Sequence, residues 1–203
     1  MPKRPKIICI TGGKGGTGKT LVAVNLATMF SNEGKNILLI DGDVENPNTY
    51  LLLGAKLKNK KSVPFFKPKI NEEKCTKCGL CAENCASHAL LHIKDSYPIP
   101  ILTVCSGCML CYKICPTKAI EKDYKTIGWT YSTNIDGISL LIGELKPSEA
   151  RSAAIVEDLL DNLDNIIEYE PEKFDIILLD TAPGAHCDVE LLINKADIIV
   201  PVT

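Results

Sequence analysis

No stretch of this 203-residue chain offers the roughly eighteen consecutive apolar residues that a membrane-spanning helix needs, so no membrane span is expected. A secretory leader is missing too. After Met1-Pro2-Lys3-Arg4-Pro5-Lys6 the apolar run Ile7 to Ile10 breaks at Thr11-Gly12-Gly13, too soon for an h-region. Nor is there a surplus of one charge sign. The formal net charge is −2, which excludes the broad basic field that nucleic-acid binders use. These absences predict a cytoplasmic protein whose thiols stay reduced. With 45% hydrophobic residues the chain is not wholly disordered and has room for one sizeable core plus a smaller module. Ten cysteines in a reducing compartment point to metal ligands before disulfides.

Lys6 to Ile10 reads as a short buried strand, followed by a glycine-rich turn and an apolar helix over Lys19 to Asn32 closed by Gly34. Asn36 to Ile40 reads as a second strand, giving a βαβ unit with parallel strands. From about Lys56 the composition turns to Lys, Pro and Phe and then to dense cysteine, returning to α/β character after Tyr124. The run Lys56, Lys58, Lys60, Lys61, Lys67 and Lys69 reads as a solvated linker, or a partner-docking patch. Ser148 to Ile167 carries Val156, Leu159, Leu160, Leu163, Ile166 and Ile167 at helical spacing. Phe174 to Leu179 is a third strand, Val189 to Ala196 a short helix and Asp197 to Val202 a fourth strand. The chain then stops with no covering helix, so the sequence is expected to be a fragment or to lean on a partner, since a parallel sheet is covered on both faces.

Gly13-Lys14-Gly15-Gly16-Thr17-Gly18-Lys19-Thr20 satisfies G-x-x-x-x-G-K-[ST] between a strand and a helix. There, backbone N–H groups would cradle phosphates, Lys19 would neutralise their β/γ oxygens and the Thr20 hydroxyl would ligate Mg²⁺. Phosphoryl transfer also needs carboxylates at strand ends. Asp41-Gly42-Asp43 and Asp180-Thr181-Ala182-Pro183-Gly184 supply them. Asp180 is expected on the Mg²⁺ side, Asp43 positioning the attacking water beside the metal, and Asp41 supporting the geometry. Asn194-Lys195-Ala196-Asp197 matches the guanine-reading N-K-x-D pattern, but it closes a helix instead of following a strand, so ATP is the expected nucleotide.

The signature Lys14 ahead of Gly15-Gly16-Thr17-Gly18-Lys19-Thr20, with Asn25-Leu26-Ala27, Asp41-Gly42-Asp43, Asp180 to Gly184 and Pro201-Val202-Thr203, resembles the deviant Walker A ATPases of the MinD, ParA, Mrp and nitrogenase iron-protein group. The resemblance implies that Asp41 to Asp43 form switch I and Asp180 to Gly184 switch II. It also implies that Lys14 reaches across an ATP-bound homodimer to the partner's phosphates, and that members continue past the Pro-Val-Thr strand.

Cys75-x2-Cys78-x2-Cys81-x3-Cys85 recurs after a 19-residue gap as Cys105-x2-Cys108-x2-Cys111-x3-Cys115-Pro116, the bacterial two-cluster ferredoxin spacing. Cys75, Cys78, Cys81 and Cys115 are expected to hold one 4Fe-4S cluster, and Cys105, Cys108, Cys111 and Cys85 the other, because the fourth cysteine of each run crosses over. A zinc site would need only four cysteines in two separated pairs. Ala86 departs from the family by standing where a proline usually follows the fourth cysteine. Ile70, Leu80, Leu90, Leu91, Ile93, Ile99, Ile101, Met109, Leu110, Ile114 and Ile120 are expected to wrap the clusters. Met109, His88 and His92 read as packing or surface residues, and Trp129 and Tyr131 as hinge or interface packing.

The expected fold class is thus α/β: a P-loop NTPase with a mostly parallel sheet and helices on both faces over residues 1–59 and 126–203, with an inserted α+β bacterial-type ferredoxin domain over residues 60–125. The whole resembles MinD-superfamily ATPases that contain an inserted ferredoxin domain. That resemblance implies a nucleotide-switched dimer with ATP, Mg²⁺ and two 4Fe-4S clusters, acting on a client metalloprotein or redox partner. An iron–sulfur carrier or scaffold whose docking ATP controls is the alternative, and a positioning ATPase on membrane or DNA a third. Cys187, three residues past Gly184, is either a small buried hydrophobe or, by resemblance to the nitrogenase iron protein, a metal or cluster ligand near the dimer axis. Cys9, inside the first strand, is a poor candidate for that task.

Overall fold

In the computed structural model, residues 4–203 are described. The leader reading at Met1, Pro2 and Lys3 lies outside them. The chain divides into two compact units, one of Met1–Val63 with Ile127–Thr203 and one of Pro64–Thr126.

The first unit opens with β1 (Lys6–Thr11), α1 (Lys19–Asn32), β2 (Ile37–Asp41) and α2 (Thr49–Leu52). The chain leaves along β3 (Lys61–Ile70) and returns along β6 (Ile120–Ile135), then forms β7 (Ile138–Leu145), α5 (Ser152–Tyr169), β8 (Ile176–Asp180), α6 (Cys187–Lys195) and β9 (Ile198–Pro201). Between them lie α3 (Leu80–Glu83), β4 (Leu90–Leu91), β5 (Ile99–Pro100) and α4 (Leu110–Ile114). The main sheet runs β3-β6-β7-β2-β8-β1-β9. It is parallel from β7 through β9 and antiparallel between β6 and β7.

Alternate residues of each strand face opposite sides, so each face needs its own helical layer. Ile10, Ile37, Leu39, Leu140, Ile142 and Leu178 pack with Ala23, Val24 and Ala27 of α1, whose small side chains let the helix approach closely. The other face meets α5 and α6. A Cβ on Gly143 would stand 2.9 Å from Ile155 and 3.0 Å from Leu159 of α5, and one on Gly42 would stand 2.4 Å from Leu192 of α6. Those two glycines therefore set how deeply the second layer seats.

Three expectations need correction. Part of the lysine run is a strand rather than a linker: Lys61, Lys67 and Lys69 lie on β3, at the edge of the sheet. Lysine and proline are what an edge strand tolerates, because they discourage further pairing. The long helix starts at Ser152, not Ser148, since Ser148 has φ +67 and Glu149 N–H closes a turn onto Lys146 O. Trp129 and Tyr131 sit within β6: Tyr131 is buried and donates to Glu144 Oε2 at 2.5 Å, and Trp129 packs beside the core under the Lys60 ammonium at 4.1 Å.

The second unit repeats one local design. Gly79 and Met109 take left-handed conformations immediately before the short helices α3 and α4. Cys85 Sγ accepts from Ala89 N–H at 3.2 Å, and Cys115 Sγ accepts from Ala119 N–H at the same distance. The expected apolar wrapping is only partial. Leu90 and Ile120 are buried, whereas Leu80, Leu91, Ile93, Ile99, Ile101 and Leu110 are exposed, because a two-stranded sheet as short as β4–β5 can cover little. Among the described residues no helix is long and apolar enough to cross a membrane.

Candidate functional site

The parallel strands end together. Ile10 pairs with Asp180, Asp180 pairs with Asp41, and Gly42 N–H extends the ladder to Asp180 O at 2.9 Å. At this carboxyl edge an open α/β sheet binds its ligand, and here the loop Gly12 to Gly18 turns into α1. Gly16 and Gly18 have φ +79 and +93, which a side chain would strain, and a Cβ on Gly12 would lie 2.5 Å from Val202 O. The loop is therefore held against the start of α1 and the end of β9, leaving Gly13, Lys14, Gly15 and Gly16 exposed. No acidic residue occupies the first turn of α1, so its amide dipole stays free for an anion.

Lys19 is buried and its Nζ donates to Lys14 O at 3.0 Å, placing the ammonium inside the loop where a phosphate oxygen would compete for it. The Lys14 side chain is exposed at the loop surface. Thr17 contributes a long contact to the same Lys14 carbonyl, 3.5 Å.

The three aspartates differ in environment. Asp41 is completely buried, and its Oδ2 accepts from Asn48 N–H at 3.0 Å, Thr49 N–H at 3.0 Å and the Thr49 hydroxyl at 2.8 Å. Burial still raises its carboxyl to about 6 against those bonds. Its work is to pin the start of α2, a positioning role the sequence did not reveal. Asp43 is half-buried, and burial pushes its carboxyl up against the opposing pull of Asn46 N–H and Lys19. Asp180 is completely buried, and neither of its carboxylate oxygens has a hydrogen-bond partner among the described residues. Burial, then the Asp41 charge, raises it to about 7, while Thr20 and Lys19 lie near enough to offset only part of that rise. An unpaired buried carboxylate costs several kcal/mol unless a cation joins it. Asp180 with the Thr20 hydroxyl thus forms an oxygen donor set that suits a hard divalent ion.

Two further residues belong here. Asp188, in the first turn of α6, is buried and acts on Asp43, and the Thr181 hydroxyl is buried with no hydrogen-bond partner among the described residues. An acidic residue in a first helical turn reads from sequence as a dipole partner only, so Asp188 gave no distinct signal. The N-K-x-D match is structural: Asp197 accepts from Ile7 N–H at 2.9 Å and Lys195 pairs with Asp164. Cys187 is the first residue of α6 and exposed, which overturns the buried reading, whereas Cys9 is buried with its thiol pushed up to about 12 by burial.

In the second unit the eight run cysteines line two small cavities. One is lined by Cys75, Cys78, Cys81 and Cys115, the other by Cys105, Cys108, Cys111 and Cys85. Burial raises the Cys81 and Cys111 thiols, Cys111 to about 11. Burial also acts on Cys85 and Cys115, but N–H and hydroxyl donors outweigh it and lower both. Among the described residues no three histidine, cysteine or acidic side chains gather closely enough to hold a single metal ion. His88 is exposed, while His92 packs on Gly79, and both histidines and Met109 lie outside the cysteine sets.

Two uncharacterized proteins of Methanocaldococcus jannaschii are similar to nearly the whole chain. One is 35% identical over 97% of this chain and 68% of its own length, the other 31% over 94% and 64%. The chain thus spans about two thirds of these relatives. The iron-sulfur cluster carrier protein of Escherichia coli is 42% identical over 25% of this chain and 14% of that protein. The septum site-determining protein MinD of Pyrococcus horikoshii, solved with Mg-ADP, shares the fold at TM-score 0.51 and 20% identity, over 98% of this chain and 58% of that one. Residues 8–190 match the CobQ/CobB/MinD/ParA nucleotide binding domain, and with the loop and strand-end aspartates in place the chain belongs to that family.

Proposed function

We propose that this chain is an ATP-hydrolysing iron–sulfur protein, a nucleotide-switched homodimer that couples ATP to electron transfer, or to metallocofactor maturation, on a partner. One observation carries the reading: each sulfur-lined cavity draws three cysteines from one run and the fourth from the other, in the same chain as a phosphate loop facing an unpaired buried carboxylate. Four thiolates crossing between two runs are the donor set of a two-cluster ferredoxin, and such clusters supply one-electron storage.

At the nucleotide site the loop amides and Lys19 would hold the phosphates, Thr20 and Asp180 would hold Mg²⁺, whose chemistry is charge neutralisation, and Asp43 would orient the attacking water. Lys14, exposed at the loop surface, is free to reach a partner's phosphates. Asp41 holds the switch segment against α2, and Gly184, whose N–H meets Gly12 O at 3.4 Å, ties the second switch to the loop. Cys187 stands exposed just beyond that switch, where its twin in a dimer could share a metal or cluster.

The test is the reduction potential of the clusters in anaerobic protein with ADP and with ATP. A nucleotide-dependent shift supports coupling, and identical potentials reject it. Similarity to the E. coli carrier protein favours one second reading, an iron–sulfur carrier whose docking ATP controls. In that case labelled iron moves from the chain to an apo acceptor while the potentials stay fixed.

A further inference from the structure

A cavity of about 630 Å³ in the first unit takes no part in the nucleotide site. It lies along the carboxyl-terminal half of α5, against the first residues of β2 and β7, at the opposite end of the parallel strands from Asp41 and Asp180. Its volume falls within the roughly 300–1,000 Å³ of small-molecule sites.

Its walls set a polar row of sheet side chains against the apolar side chains of Leu38, Leu141, Ile166 and Phe174. Thr130, Ser132 and Asn134 alternate along β6 and so share one face, and Ser139 of β7 pairs opposite Asn134 on it. Further along that face Gly143 lies under Ile155 and Leu159, and there the sheet and helix pack tightly. Past that contact α5 presents Asn162 and Asn165 together with Ile166 and Tyr169, and Asn162 Nδ2 donates to Asp158 O at 2.6 Å and Oδ2 at 3.2 Å, which leaves its Oδ1 to accept from a ligand hydroxyl.

The wall is also braced. Asn59 Nδ2 donates to Ser132 O at 3.1 Å and to its hydroxyl at 3.2 Å, and Ser132 N–H donates to Lys58 O at 3.2 Å. Asn134 Nδ2 donates to Ser139 Oγ at 3.1 Å. These bonds fix the segment that carries Lys58 and Lys61 along the cavity. Lys58 forms no ion pair among the described residues, Lys61 lies near enough to Asp158 of α5 to oppose the burial that raises that carboxyl, and a third, Lys173, is balanced by Glu170 at 2.9 Å. Against the carboxylates of Asp158 and Glu170 the three lysines leave one positive charge in excess, beside a row of hydroxyls and side-chain amides.

We propose that this cavity binds a small phosphorylated polyhydroxyl compound of the sugar-phosphate class. Lys58 and Lys61 meet the phosphate, and Thr130, Ser132, Ser139 and Asn162 pair with the hydroxyls. Lysine serves as a point charge for phosphate, and a wall built to hydrogen-bond discriminates strongly against ligands that lack hydroxyls.

Isothermal titration tests this on the full chain, saturated beforehand with Mg-ADP so that the phosphate loop is filled. The probes are ribose 5-phosphate, glucose 6-phosphate and glycerol 3-phosphate, with ribose, inorganic phosphate and citrate as controls. Saturable binding of at least one sugar phosphate is expected, tighter than any control. Lys61→Ala should weaken it about tenfold, the loss of one charge-assisted hydrogen bond, and Asn162→Leu should remove it, both with unchanged ATP hydrolysis and unfolding temperature. No binding of all three sugar phosphates at millimolar concentration overturns the proposal. So does equal binding of citrate, or binding that survives both substitutions. None of these outcomes bears on the cluster content or the ATPase assignment.

Discussion

Replacing Asp180 with asparagine keeps the side chain's shape and removes its charge, which isolates the cost of the unpaired carboxylate. A carboxyl that titrates at about 7 rather than at its ordinary 3.8 penalises the folded chain by about 4 kcal/mol once ionised. The folded state binds the extra proton, so the penalty is absent below pH 4, grows as pH rises towards 7 and is complete above it. The asparagine amide, still without partners, costs about 1–3 kcal/mol at any pH. Asp180→Asn should therefore stabilise nucleotide-free protein by about 1–3 kcal/mol at pH 8 and by almost nothing at pH 5. For a chain of this length that is about 3–10 °C in unfolding temperature. Circular dichroism melts at the two pH values, with magnesium withheld, measure it. The same variant should lose Mg²⁺-dependent hydrolysis, and adding Mg-ADP should stabilise the wild type more than the variant. An equal gain at both pH values, or a loss at pH 8, would refute the reasoning.

Other outcomes are tied to single residues. Lys19→Ala should abolish nucleotide binding in a fluorescent-nucleotide titration, since its buried ammonium is the loop's internal charge, while Lys14→Ala should bind normally but lose turnover and ATP-dependent dimerisation. Anaerobically purified protein should hold close to eight iron and eight sulfide per chain, and Cys115→Ser should lower iron by about half by opening the first cavity; stoichiometric zinc would refute the ferredoxin reading. Cys187→Ser should leave iron content and basal ATPase unchanged yet impair delivery to a client, and a variant that serves the client fully would reduce Cys187 to an ordinary surface residue.

Much of the nucleotide half was legible because its signals are local. The α1 limits follow from Gly18 and Gly34, both with positive φ, and the aspartates at the ends of β2 and β8 follow from short apolar runs. The β6–β7 hairpin went unread although Asp136-Gly137, with φ +49 and +80, is the two-residue turn such hairpins favour. The Thr/Tyr alternation of β6 marks a strand but carries no sign of which neighbour it pairs with. The edge strand β3 was hidden by Pro64 and Pro68, which argue against a central strand and say nothing against an edge. Asp41's bonds to Asn48 and Thr49 could not be read, because a carboxylate at a strand end carries no mark of which backbone it will meet. The exposed aliphatics of the second unit likewise depend on how little surface a short hairpin can hide.

The clasp at Asp41 has a mechanical consequence. One end of residues 42–47 is sewn into the sheet by Gly42 N–H, and the other is tied to the Asp41 carboxylate through Asn48 and Thr49. Residues 42–47 are then a hoop with both feet held and one side pinned as well, because Val44 is buried and its O accepts from Leu145 N–H at 2.7 Å. With Asp43 N–H also donating to Asp41 Oδ1 at 3.2 Å, the exposed crown at Glu45 and Asn46 is the part left to move. A crosslink or bulky label at Glu45 would jam that motion at its widest point while leaving both feet untouched.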